Sequence, residues 1–163
     1  MDARDLLIDE FNRIQELYAD LAGAEVDLHA RPSSTGNPIG WLLWHLARVQ
    51  DDHVAGVAGT AQAWDSFESK FGLPFEPGDI GYGHSSEEVS AVRISDPALL
   101  VSYHSAVHQQ TLSYLDRVTA EELDRVVDRR WDPPVTAGVR LVSVVGDCLQ
   151  HLGQAAYVRG LLA

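Results

Sequence analysis

The sequence has 163 residues, 45% hydrophobic and 22% charged, the balance of a soluble globular chain long enough for its own core, and it reads as a single domain over 1–163. Acids outnumber bases 24 to 12, for a net charge of −12 with no basic run, which argues against nucleic acid or an anionic membrane surface as a partner. Cys148 is the only cysteine, so no intrachain disulfide is possible. The N-terminus is charged and no apolar run approaches the roughly 20 residues a bilayer requires, so the expected location is the cytoplasm.

In chain order, a first helix is expected from about Ala3 to Gly23. Leu7, Phe11, Ile14, Tyr18 and Leu21 alternate steps of four and three and make one apolar stripe, with Asp5, Asp9, Glu10, Arg13 and Glu16 on the wet side. Arg31 to Gly36 is loop chemistry. The second helix should open with Asn37 as cap and Pro38 as its first residue, run to about Ala58 and stop at Gly59. Trp41, Leu42, Leu43, Trp44, Leu46, Ala47, Val49 and Val54 cover most of its circumference. Its polar groups keep to a narrow band through His45, Arg48, Asp51 and Asp52, so the helix should be buried on several sides.

From Thr60 to about Ser95, glycines and prolines break the periodicity while Trp64, Phe67, Phe71, Phe75 and Tyr82 are scattered through it. A loop this long and aromatic is expected to pack and to be functional, with a short helical turn at Ser86–Val92 capped by Ser85 or Ser86. The third long helix opens at Asp96–Pro97, runs to about Val118 and should bury Leu100, Tyr103, Val107, Tyr114 and Val118. Thr119 to Glu122 reads as a capping box and Asp132–Pro133–Pro134 as an extended turn. The last helix runs from about Ala137 to Leu162. The pattern predicts an all-α four-helix bundle with a long loop between the second and third helices.

Chemistry concentrates in three residues. Asp147 and His151 lie four apart on the last helix, on one face and one turn from each other, and His45 stands in the polar band of the second. Two imidazoles and a carboxylate suit a divalent metal such as zinc, nickel or iron, and three protein ligands leave positions open for water or a thiol. The bland alternative is a solvent-facing stripe through Arg140, Ser143, Asp147, Gln150 and Gln154, with His45 a core histidine bonded to a carbonyl. Against it, both helices are otherwise apolar and must turn their thin polar bands to water or to a polar cavity.

His104 and His108 form a competing pair, expected at a surface or edge beside the Tyr103/Val107 stripe. His53 and His84 are expected to be solvated unless the long loop folds over the site. Asp52 lies two turns past His45, about 10 Å along the same face, suited to lining a pocket. Cys148 reads as an inert core thiol. There is no G-x-S-x-G, and Gly81–Tyr82–Gly83 lacks the rest of a phosphate loop.

Trp41–Leu42–Leu43–Trp44–His45–Leu46–Ala47–Arg48 and Asp147–x3–His151–Leu152–Gly153–Gln154 resemble the two signatures of the DinB/YfiT-like superfamily, over nearly the whole chain. The resemblance implies an up-down-down-up four-helix bundle, often a homodimer, holding a divalent metal at the positions of His45, Asp147 and His151. Many members carry His where Asp147 stands; those resembling mycothiol-dependent maleylpyruvate isomerase carry Glu. Family enzymes of known activity transfer or rearrange groups using a low-molecular-weight thiol at the metal. The isomerase's extra C-terminal domain has no counterpart in this sequence, so its substrate does not carry over.

The expectation is a metal-dependent thiol S-transferase or isomerase acting on a small molecule, with a thiol such as mycothiol as cofactor. Arg48 and Asp52 would line the pocket, and Gln154 would hydrogen-bond a ligand. The alternatives are a non-catalytic metal- or small-molecule-binding protein in a stress response, and a metal-free bundle whose site has decayed.

Overall fold

The computed structural model describes residues 1–163. Helix α1 spans Ala3–Ala22, opened by a reciprocal capping box between Asp2 and Asp5. Helix α2 spans Ile39–Ala58. Pro38, not Asn37, occupies its cap position, with extended backbone and no side-chain cap, and Gly59 ends it in the left-handed region at φ 68°. Then come a 3-10 turn at Ala63–Ser66, α3 at Glu68–Phe71 and α4 at Ser86–Ala91, the last capped by Ser85 and Glu88. Helix α5 spans Pro97–Leu115, capped by Asp96. Helix α6 spans Ala120–Asp124.

Thr119 accepts the Glu122 N–H as expected, but the Glu122 carboxylate does not return to complete the box. It takes the Tyr114 hydroxyl and Arg125 instead. A hairpin that the sequence did not announce follows, β1 at Val126–Asp128 pairing antiparallel with β2 at Val135–Thr136. Helix α7, Ala137–Leu162, starts on the Thr136 cap.

The four long helices make a square in which α2 packs along α5 and α7, α1 also packs along α5 and α7, and α1 and α2 are diagonal. Gly40 at the start of α2 faces Ile94 just before α5, and Ala58 at its end shares a cavity with Tyr114, so α2 and α5 run parallel. Leu42 lies with Val158 while Asp52 lies with Arg140, so α2 and α7 run antiparallel. The bundle is up-down-down-up. One continuous core runs through it, including Phe11, Ile14, Tyr18, Leu43, Leu46, Leu100, Tyr103, Leu141, Val144 and Leu152. Each large side chain buried this way contributes about 1.5–3 kcal/mol. No helix is long and apolar enough to cross a membrane.

The parallel α2–α5 pair explains the long loop. The chain leaves the far end of α2 and must return the helix's whole length, about 30 Å, before α5 can start. This crossover lies on the outer side of α2 and completes its burial.

Two residues from the polar band hold it there. Asp51 accepts the backbone N–H groups of Ala63 and Trp64 at 2.9 and 2.8 Å and the Tyr103 hydroxyl at 2.8 Å. Arg48 donates to the carbonyls of Pro77 and Asp79 at 3.1 and 3.3 Å and to Gln62 Oε1 at 2.8 Å, with its guanidinium 4.4 Å over the Trp64 ring. Arg48 is 0% exposed. It clamps the crossover and does not line a pocket, contrary to the sequence expectation. At Arg48 and Asp51 the polar stripe is met by crossover main chain.

Candidate metal centre

His45 from α2 and Asp147 and His151 from α7 converge, with one potential ligand atom from each lying within 4.8 Å of the other two. The helix register does most of the positioning. The i,i+4 step brings Asp147 Oδ1 to 3.7 Å from His151 Nε2, and the antiparallel α2–α7 contact brings the His45 and His151 rings to 4.8 Å, edge to face.

Each imidazole is oriented by its other nitrogen. His45 Nδ1 faces the Ile80 carbonyl, which can only accept, so Nδ1 carries the proton and Nε2 is left with a lone pair. His151 Nδ1 is 2.9 Å from Gln154 Oε1, which fixes the same tautomer. These are the outer partners that a metal-ligating histidine takes. Gln154 therefore stands where the sequence placed it.

Asp147 supplies the sharpest sign of a missing partner. Its Oδ2 is buried and accepts no hydrogen bond from the protein. An unpaired buried carboxylate oxygen costs several kcal/mol unless a cation or donor meets it. Ligand atoms bound tetrahedrally at about 2.0–2.2 Å lie about 3.3–3.6 Å apart, so side-chain movements of up to about 1 Å close this set around an ion. The donor set fits a divalent metal.

His45 is 3% exposed, whereas Asp147 and His151 retain 23% and 18% of their side-chain surface. Burial holds the His45 imidazole below its ordinary pKa, and the neighbouring His151 ring adds to this against the opposing pull of the Ile80 carbonyl. That keeps His45 neutral, as a ligand must be.

The crossover builds the rest. Trp41 stacks on His45 at 4.7 Å and meets His151 edge-on at 6.3 Å. His84 is not solvated, because the crossover does fold over the site. Its ring lies against Trp44 and Phe75, accepts the Trp41 indole N–H at Nδ1, and donates to Asp79 at 3.0 Å. His53 is half-buried and bonded to Asp52, whose carboxylate also takes Gln62.

The competing pair does not form a site. His104 is 0% exposed, not at an edge, stacked 3.9 Å from Tyr18 and bonded to Gln50 Oε1. Cys148 is fully buried, and burial above all pushes its thiol well up from the usual range, so it stays protonated and inert as expected.

Tyr82 was missed. Gly81 and Gly83 on either side have φ of 93° and 72° and present it over the cluster, with its ring edge-to-face with His45 at 5.4 Å and 61% of the residue exposed. A Cβ on Gly81 would sit 2.7 Å from His45 Nδ1. A lone tyrosine between two glycines is the signal that could have been read. Partial burial raises the Tyr82 phenol pKa, and the Asp147 carboxylate raises it further.

The family model of the DinB superfamily matches residues 6–155. A crystal structure described as the conserved protein of locus from Enterococcus faecalis superposes with a TM-score of 0.91 at 31% identity, covering 99% of this chain and 98% of that one. No curated protein matches the chain.

Proposed function

The chain belongs to the DinB superfamily, and from that premise we propose that it is a divalent-metal-dependent enzyme that joins a low-molecular-weight thiol to an electrophilic small molecule, as a thiol S-transferase or isomerase. The observation that carries the reading is the convergence of His45, Asp147 and His151 with Asp147 Oδ2 left unpaired. A bound zinc, nickel or iron ion would supply one thing, acidification of a thiol or water in its open positions.

The protein does the remainder. The Ile80 carbonyl and Gln154 aim two Nε2 lone pairs at one point. Trp41 and the crossover close the α2 side against water, where His45 is buried. Tyr82 stands at the open side, where its hydroxyl can give a proton to the product and recover it from solvent. A thiol such as mycothiol would enter there.

The test has two steps. Tag-free protein should carry a stoichiometric divalent metal that His45→Ala and Asp147→Ala remove; unchanged metal content in those variants sinks the site. Thiol and electrophile should then be consumed with turnover. A stoichiometric complex that never turns over would instead establish the second reading, a non-catalytic metal- or small-molecule-binding protein. That reading is favoured by one feature: the cavity beside the site, of about 390 Å³, is lined by Asp52 and Arg140 and not by the three ligands themselves.

We also propose a homodimer through the outward face of α7. Val139, Val142, Leu149, Tyr157 and Leu161 are exposed there, and Gly146, Gly153 and Gly160 recur every seven residues with open space above them. Such a face admits the close approach of a second helix.

A further inference from the structure

The sequence and the antiparallel α2–α7 pair place a second set of groups at a fixed distance from the candidate metal ligands. On α2, Asp52 follows His45 by seven residues; on α7, Arg140 precedes Asp147 by seven. Because the helices run in opposite directions, both steps lead the same way along the groove between them, about 10 Å from the triad.

At that second level lies a cavity of about 390 Å³, lined by Asp52, His53, Arg129, Arg130 and Arg140 among others, with Asp128 at its floor. Three guanidinium groups in one cavity are out of keeping with a chain of net charge −12. The acids there are already engaged. Asp128 takes Arg130 through Nε and a terminal nitrogen at 3.0 and 2.8 Å, and one terminal nitrogen of Arg140 at 3.3 Å. Asp52 is held by His53 at 3.0 Å and Gln62 at 2.9 Å. The cavity's three guanidinium groups outnumber its two carboxylates. Arg140 uses one of its five N–H donors, and the Arg129 side chain has no protein acceptor at all. Asp128 fixes the orientation of Arg140, so its other donors are aimed before any ligand arrives.

We propose that this cavity is the carboxylate-binding end of the substrate groove, with Arg140 as the principal contact and Arg129 closing over it, and that it takes an acyclic ligand bearing a carboxylate about 10 Å from the atom held by the triad. The cavity and its arginines stand on their own geometry; only the far end of the ligand rests on the metal reading above. The arrangement selects for length as well as charge. A short acid reaches one end only, and an uncharged analogue leaves Arg140 without the acceptor it is positioned for.

The experiment is titration calorimetry with suberate, whose extended chain separates its two carboxylates by about the required span, and with succinate, which is too short. Both are added to metal-free and to cobalt-loaded protein, in wild type, Arg140→Gln and Arg129→Gln. The Arg129 variant removes no contact made within the protein, so it remains informative if Arg140→Gln loosens the hairpin. Suberate should bind the cobalt-loaded wild type more tightly than succinate does. Arg140→Gln should cost that affinity about tenfold or more and Arg129→Gln a smaller factor, as expected for charge-assisted bonds.

Loss of suberate binding in both variants with no difference between metal-free and loaded protein supports the anion site while removing the metal reading. Tighter binding to loaded protein that neither substitution disturbs overturns the anion site and leaves the metal reading standing. Equal affinity for suberate and succinate in every protein, with neither substitution lowering it, also overturns it.

Discussion

At Gly81 a missing side chain decides how the site is built. Its φ of 93° and the 2.7 and 3.0 Å that a Cβ would leave to His45 Nδ1 and Trp44 make Gly81→Ala doubly unfavourable. Gly83→Ala meets only the backbone term, since nothing lies within 4 Å of its Cβ position. Urea melts should show a loss of about 1–2 kcal/mol for Gly83→Ala and clearly more for Gly81→Ala. Only Gly81→Ala should also weaken metal binding in a chelator competition, because it displaces the ring that the Ile80 carbonyl orients. Gln154→Ala frees the His151 tautomer and should lower metal affinity about 10–100-fold with little change in melting temperature.

His104 governs acid stability. Buried and neutral, its folded-state pKa is pushed down to about 3 by desolvation, against 6.5 for the free side chain. Between those values the unfolded chain holds a proton that the folded chain refuses, so stability rises with pH there. It is complete above about pH 6.5 and is lost as the pH falls toward 3. His104→Phe should flatten the slope of unfolding free energy in that window by up to about 1.4 kcal/mol per pH unit, the effect of one proton. The candidate triad was legible residue by residue because two short motifs contain it. His104 was misplaced because a stripe drawn through Tyr103 and Val107 puts it at the edge, whereas α5 is buried against both α1 and α2 and Leu100, Tyr103, His104, Val107 and Thr111 all face inward.

Among the elements, α2 and the crossover behave as one unit. Arg48 and Asp51 are 0% and 1% exposed and satisfy five crossover groups between them. Arg48→Met leaves the Asp51 carboxylate without its cation and two crossover carbonyls without donors, which should cost about 3–5 kcal/mol. Adding Asp51→Asn should restore part of that loss, a non-additivity measured by chemical denaturation of the single and double variants.

The sequence showed that α2 is buried nearly all round, and it showed the caps at Asp96 and Thr119 and offered Ser85 or Ser86 for α4. It did not show what covers α2, because the partners of Arg48 are backbone carbonyls with no residue-type signature. The hairpin Val126–Thr136 was hidden for a related reason: two strands of three and two residues carry no periodicity to read.

For the whole molecule, bundle packing and the Arg48–Asp51 clamp bring the triad together. Chelation should therefore leave the far-UV circular dichroism unchanged, in contrast to small domains that unfold without metal. Light scattering at micromolar concentration should give a dimer mass, and Val142→Glu with Leu149→Glu should halve it. A monomer mass for the wild type rejects the proposed interface.

The parallel setting of α2 and α5 has a last consequence, for how the protein can diverge. Spanning about 30 Å takes only about nine extended residues, far fewer than lie between Gly59 and Asp96. The surplus is what forms the cover over the triad, and most of it is not fixed by the topology. The stretches around Gln62 to Trp64 and Pro77 to His84 are the ones tied to α2 by name. Around those anchors, length and composition can drift or be grafted from a relative while the bundle and its ligands stay in place. One scaffold can thus be re-tailored to new small molecules by changing a single connection.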